Sequence, residues 1–429
     1  MTMVAGFLST HFLLLFPAFT TSVDVLGPPL VSLVPGEGVR APSPCCRAPG
    51  VLSCHPARVN SSLVTSMAAI IFPATGHLFT FTNHVPPSGY HYTSVEGDEA
   101  VVTVNTATGH VFGTVKAEGR AFTLEHCSLG PHWIEYNVDT FLTEEEEGME
   151  EEEEGPLAED FLEDDDLSAV AEFSIMIYYT PQFAEITSDI PGFVEQVLAE
   201  TNQGYVNSQV AMVARLHCIE QAAISDTDSS TTTMVNFLKM RKGSTASLRH
   251  TADAAVLLVA SLGASCGRAL AINSIASGKT VSVCAKSCAL GYFTFGHELA
   301  HSIGAYHNRE TGHLNPYYSF GQGHLVARGN ASTGVRSILA YYAAGHALRV
   351  NHYSNPDVIY PATATPTGTK DNNNAKVLRK NRWKLGKVGD ESACCGCKYA
   401  PPPGSTLLSL IKMKLVKLKA AIKNLLWPF

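Results

Sequence analysis

Apolar residues follow two different periods along this chain, and the change falls near Phe173. Over residues 61–141, runs such as VVTVNTATGHVFGTVKAEGRAFTLEH alternate apolar and polar positions, with Gly109, Gly113 and Gly119 between them. A period of two with glycine punctuation predicts a small antiparallel β domain. Beyond Phe173 the strands lengthen into apolar blocks and helical spacing enters. FSIMIYYT predicts a buried strand, and Pro181 to Asn207 a long helix with Phe193, Val194, Val197 and Leu198 on its apolar face. VAMVARLHCI then reads as a strand, MVNFLKMRK as a short helix, AAVLLVA as a central strand and KTVSVCAK as an edge strand. Strands alternating with helices give an α/β half.

The ends and the charge distribution divide the rest. Residues 1–22 are apolar and free of Asp, Glu, Lys and Arg, which predicts a secretory signal; an uncleaved anchor is the alternative. The formal net charge of −9 conceals an insert at 143–166 that holds 15 acidic residues and no basic one. Such a run repels itself and predicts a solvated linker. The remainder is mildly basic without a basic stripe carrying interleaved aromatics, so nucleic acid is excluded as a partner. The resulting division is a signal candidate at 1–22, a β-rich segment at 23–141, the acidic linker at 142–168, an α/β domain at 169–385, a Cys- and Pro-rich linker at 386–405 and a tail at 406–429. In the tail, Leu408, Ile411, Leu415, Leu418, Ile422 and Leu425 recur at 3/4 spacing, with lysines on the remaining surface. That is a basic amphipathic helix, suited to an anionic membrane surface or to packing on the α/β domain.

The 11 cysteines fit an oxidising, extracellular compartment, and their odd number leaves one thiol over. Cys266 and Cys288 flank the expected edge strand and are expected to pair.

The most informative segment is Gly296-His297-Glu298-Leu299-Ala300-His301-Ser302-Ile303-Gly304-Ala305-Tyr306-His307. On a helix, His297 and His301 project from one face and can take two corners of a Zn²⁺ tetrahedron. Gly304 lets the chain leave the helix in a conformation other residues resist, and the turn brings His307 round as third ligand. Glu298 then reaches a water at the open fourth position rather than the metal, as a general base must. The other histidines, among them His313, His324, His346 and His352, lack ligand spacing.

This long motif resembles that of the metzincin metalloproteases, over roughly residues 172–385. Ser337-Ile338-Leu339-Ala340-Tyr341 is similar to the family's Met-turn, with Leu for Met. The stretch Arg349 to Pro356, with Thr365-Pro366-Thr367-Gly368 and Asp371-Asn372, resembles the reprolysin-like and peptidyl-Asp branch. Asn308 stands where reprolysins carry Asp. The resemblance implies a twisted mixed sheet with two long helices above an irregular lower half, an α/β (α+β) metzincin fold. It implies a secreted zinc endopeptidase made as a zymogen, acting on protein or peptide substrates, with substrate strands adding to the sheet edge. Tyr341 is then either an oxyanion-stabilising group or a packed core tyrosine. An Asp preference after the scissile bond is implied by the resemblance alone, with Arg309, Arg336 and Arg349 as candidate counter-charges. The β-rich segment is expected to lie across the cleft as a pro-segment. Cys127 is its candidate latency ligand to the zinc, or else a disulfide partner of Cys45, Cys46 or Cys54. The competing readings are an inactive binding module of the same fold and a membrane-active protein working through its tail.

Overall fold

The computed structural model describes residues 30–33, 46, 51–136 and 169–389, except 68, 73–76, 128, 244–251, 278–279, 330–333, 344 and 347. The signal candidate, the acidic run and the basic tail lie outside these residues, as does most of the 386–405 linker.

The N-terminal lobe is a nine-stranded sheet in which every pairing is antiparallel. Its strands are β1 (Val31–Leu33), β2 (Val51–Val59), β3 (Ile70–Ile71), β4 (Leu78–Val85), β5 (Gly89–Thr93), β6 (Glu99–Val104), β7 (Val111–Ala117), β8 (Arg120–Cys127) and β9 (Gly130–Tyr136). Their order is β1-β2-β9-β8-β7-β6-β5-β4-β3, and a short helix α1 (Ser61–Thr65) follows β2. The sheet starts earlier than its pattern announces. Only Ala57 of β2 is fully buried, so no apolar alternation marks that strand; its pairing with β9 makes it. Glu118 and Gly119 both have positive φ (54° and 73°), the conformation that joins tightly twisted strands through a two-residue turn.

Alternation in β7 serves two partners. Val111, Val115 and Ala117 face a core built around Phe72, Phe79, Tyr92, Phe122 and Trp133. Phe112, Thr114 and Lys116 point the other way, into the second lobe. Both faces are therefore covered, and all of β7 is buried.

The second lobe runs β10 (Ala171–Tyr179), α2 (Pro181–Ile186), α3 (Ile190–Asn207), β11 (Met212–Gln221), α4 (Ser230–Gly243), β12 (Ala254–Val259), β13 (Gly267–Ala269), β14 (Val281–Ala285), α5 (Lys286–Ala289), α6 (Thr294–Ile303) and, later, α7 (Asn374–Leu385). The sheet order is β11-β10-β12-β14-β13, parallel except for the antiparallel pair β13–β14. The expected α/β fold with a mixed sheet is present. KTVSVCAK is not its edge: the three-residue β13 takes that place, too short to show a period of its own. Cys266 and Cys288 bracket this edge and are joined by a disulfide. The helix expected over Pro181–Asn207 is two, because Asp189 caps a second start by accepting from the Gly192 amide at 2.9 Å.

The lobes meet along α3. Asp189 accepts from Asn105, Thr108 and His110 of the first lobe at 2.8–3.0 Å. Gln196 accepts from Thr103 and donates to Thr114 and to the Val101 carbonyl, each at 2.9 Å. Phe112 fills the space over Gly192, where a Cβ would come within 2.4 Å of its ring. A buried ion pair joins Glu125 of β8 to Lys286 of α5. These contacts run along α3 and the 286–291 segment, and Lys116 of β7 reaches Phe293 at the start of α6, 4.9 Å from its ring centre. Among the described residues no helix is long and apolar enough to cross a membrane. The Cys46–Cys54 and Cys266–Cys288 disulfides fit an oxidising compartment.

Candidate metal centre

Helix α6 enters from Phe293 in the left-handed region (φ 63°) and ends on Gly304 at φ 108°. The Gly304 amide reaches back to the carbonyls of Ala300 and His301, closing the helix. Ala305 then turns the chain into Tyr306–Asn308, which carries His307 beside the helix. The three imidazoles converge through Nε2. His297 and His301 are 3.0 Å apart at these atoms, His301 and His307 2.8 Å, and His297 and His307 3.2 Å. All three residues are buried.

The donor set fits a metal. His297 Nδ1 donates to the Ile338 carbonyl and His301 Nδ1 to the Ala305 carbonyl, both at 2.9 Å. A carbonyl can only accept, so these nitrogens carry the protons and both Nε2 atoms present lone pairs to the centre. Lone pairs facing lone pairs repel unless a cation lies between them. A tetrahedral zinc with N–Zn distances of about 2.05 Å places its ligand nitrogens roughly 3.3 Å apart, close to the spacing here. Burial, and after it His301, Arg349 and His307, hold His297 well below the ordinary histidine range. Burial, followed by Arg349 and His313, pushes His307 down to about 3. Both imidazoles are therefore neutral at pH 7, the form that ligates.

The turn Ser337–Tyr341 lies under the ligands. Leu339 is fully buried in the core of the second lobe, filling the methionine's place in the resemblance. Asn308 ties this turn to the third-ligand strand: its Oδ1 accepts from the Tyr341 amide at 2.8 Å and its Nδ2 donates to Glu310 at 2.9 Å. A carboxylate could make the first bond but not the second, since it has nothing to donate. The Tyr341 ring sits 4.0 Å from that of His307 between centroids, so the structure brings Tyr341 to the site. Glu298, one residue after the first ligand, is 6% exposed.

Two groups the motif does not contain complete the surroundings. Arg336 and Arg349 are fully buried, and both donate to the Ala340 carbonyl, at 2.9 and 3.4 Å. Their guanidiniums lie 5.2 and 4.3 Å from the Tyr292 ring centre, and Arg336 also donates to the Tyr292 hydroxyl at 2.7 Å. Of the three candidate counter-charges, Arg309 is not among them; it braces a loop through the Asp371 carbonyl and Asn372. Lys116 of the first lobe lies near the same arginines. Burial, only partly offset by Glu200, lowers it to about 7. No sequence signal marks these arginines as buried, because charged residues are ordinarily read as surface.

Cys127 does not join the site. It is disulfide-bonded, and a sulfur so engaged has no thiolate to offer a metal. Its residue packs in a small cluster with Ile134 and Tyr136. Among the other histidines, His352 is buried against Tyr360, at 5.3 Å between ring centres.

Residues 170–354 match a family model described as Metallo-peptidase family M12. A peptidyl-Asp metalloendopeptidase of Stenotrophomonas maltophilia (strain K279a) is 34% identical over 200 residues, covering 45% of this chain and 47% of its own. A peptidyl-Asp metalloendopeptidase of Xanthomonas campestris pv. campestris is 32% identical over 200 residues, covering 45% and 46%. One of Pseudomonas fragi is 29% identical over 161 residues, covering 38% of this chain and 85% of its own. The chain thus spans about half the length of the first two relatives. The matched segment contains β10 to α6, the three converging histidines and the turn beneath them, and over residues 170–354 this chain carries a reprolysin-like metallopeptidase domain of family M12.

Proposed function

We propose that the chain is a secreted, zinc-dependent metalloendopeptidase that hydrolyses peptide bonds in protein or peptide substrates. The observation that carries this reading is the inward convergence of the Nε2 atoms of three buried histidines, two of which share helix α6 with Glu298. His297, His301 and His307 hold the metal. Zinc in such a site supplies Lewis acidity, polarising the scissile carbonyl and lowering the pKa of water toward ~7.

Glu298 takes the proton of the attacking water and returns it to the leaving amine nitrogen, so the amine departs neutral. Tyr341, beside His307, donates to the oxyanion as the carbonyl carbon becomes tetrahedral. The substrate backbone adds to β13, the last strand in the sheet order, and gains affinity through main-chain hydrogen bonds. The relatives' names point to aspartate as the residue recognised. Arg336 and Arg349, behind Ala340, supply the positive potential an aspartate side chain requires.

Cleavage of a peptide library by the full-length chain, with and without a zinc chelator and alongside Glu298→Ala, tests the proposal. Loss of cleavage in both treatments is expected, with zinc restoring only the chelated protein. Undiminished cleavage in either one defeats it.

A further inference from the structure

Gly267 begins β13, the edge strand beside α6. Its φ lies outside the left-handed region, so the backbone there accepts any residue. Space is what demands glycine. A Cβ at this position would come within 2.7 Å of Glu298 Oε1, 2.9 Å of Glu298 Cγ and 2.7 Å of Thr294 Cγ2. All three distances fall far inside ordinary contact, which begins at about 3.5 Å between carbons.

Something would have to give, and the surroundings decide what. Thr294 is β-branched, buried and at the first position of α6, so its methyl has little freedom. The strand itself is held. Gly267 pairs with Cys284 of β14, the Cys266 carbonyl accepts from the Ala285 amide at 2.8 Å, and Cys266 is bonded to Cys288. Glu298 has a flexible side chain whose carboxyl end is one of the colliding atoms. It is the group that moves.

We propose that Gly267 is a positioning residue for the reaction. The side chain it lacks is the space occupied by the Glu298 carboxyl group, and any larger residue turns that base away from the reacting water. This inference rests on Glu298 acting as the base, as proposed above. Its main chain belongs to the edge to which substrate adds, and its effect on the chemical step runs through Glu298.

The test is a double-mutant cycle on the full-length protein with Gly267→Ala, Glu298→Ala and the two combined. Gly267→Ala is expected to lower kcat by about 10- to 100-fold, the scale of a misplaced catalytic group, with KM within about threefold. Zinc content should stay at the wild-type value, and the Thr294 contact should lower the melting temperature by the same amount with and without the Glu298 side chain, so the change in kcat reports on the carboxyl group. In the Glu298→Ala background the second substitution should cost nothing further. A structure of metal-free Gly267→Ala should show the Glu298 carboxyl rotated away from β13. Additive losses in the cycle, an unchanged kcat, or a raised KM with unchanged kcat would each overturn the inference, the last by showing that the strand moved and not the base. The two readings separate in the single variants. If Glu298→Ala keeps wild-type kcat, the assignment of the base fails and Gly267 has nothing to position. If Glu298→Ala is inactive while Gly267→Ala is fully active, only the positioning role fails.

Discussion

The ion pair between Glu125 and Lys286 offers a direct measure of how far the N-terminal sheet belongs to the catalytic unit. Glu125 lies on β8 of the first lobe and Lys286 begins α5 of the second, 161 residues apart in sequence. Their side chains are 3% and 4% exposed. The carboxylate also accepts from Thr123 at 3.1 Å and from Tyr136 at 3.3 Å, so its lone pairs are well occupied. Glu125→Leu removes the charge and strands the Lys286 ammonium beside the Phe193 ring, 5.4 Å from its centre. Deleting one partner of such a pair costs about 3–5 kcal/mol, because the survivor is a buried charge without compensation. Replacing both, as Glu125→Leu with Lys286→Met, removes the desolvation penalty together with the attraction. That double variant should fall within about 1 kcal/mol of wild type, or exceed its stability. Urea unfolding followed by tryptophan fluorescence, to which Trp133 buried in the first lobe contributes, reads both values as midpoint shifts at constant slope. A single variant within about 1 kcal/mol of wild type would show the pair to be solvated, and the lobes then could not be packed as described. If the loss appears, the sheet cannot be removed without leaving Lys286, Asp189 and the Gly192 face of α3 open to solvent.

Two further outcomes follow from the same packing. Burial lowers His91 to about 4 and, with the nearby His91, lowers His352 to about 3, against 6.5 for the free side chain. Between pH 6.5 and 4 the unfolded chain therefore binds more protons than the folded one. Stability should be full above pH 6.5 and fall on acidification, by up to about 1.4 kcal/mol per pH unit for each histidine. Thermal melts from pH 7.5 to 4.5 should show this slope reduced in His352→Gln, and an equal slope in both proteins would contradict it. Arg349→Met should lower the preference for aspartate over asparagine after the scissile bond by about 10-fold in kcat/KM, as expected for loss of one buried positive charge that acts through its field and not by contact. Competition between paired peptides measures the ratio, and an unchanged ratio would remove this arginine from substrate recognition.

The converging histidine triad was legible in the sequence because its geometry is local. A helical repeat places His297 and His301 one turn apart, and Gly304 at φ 108° supplies the one conformation that returns His307 to them within six residues. The α/β alternation was legible for a similar reason, since buried strands and amphipathic helices each impose a period on the residues they contain. Where burial does not set the period, the pattern was silent: β2 leaves most of its side chains half-buried, with only Ala57 buried, and β13 is three residues long. What tertiary structure alone decided depends on residues far apart in the chain. The spare cysteine reading of Cys127 failed because disulfide pairing is a matter of distance in space, which the count of cysteines does not contain. Arg309, Arg336 and Arg349 were equal candidates for a counter-charge in the sequence, and only the tertiary structure enclosed Arg336 and Arg349 between Tyr292 and the Ala340 carbonyl. The first lobe showed its β pattern in sequence, yet its docking along α3 depends on Asp189, Gln196 and Lys286 meeting partners 79 to 161 residues away. No local period records such meetings; they exist only once both lobes have folded and each buried polar group must find a partner or lose free energy.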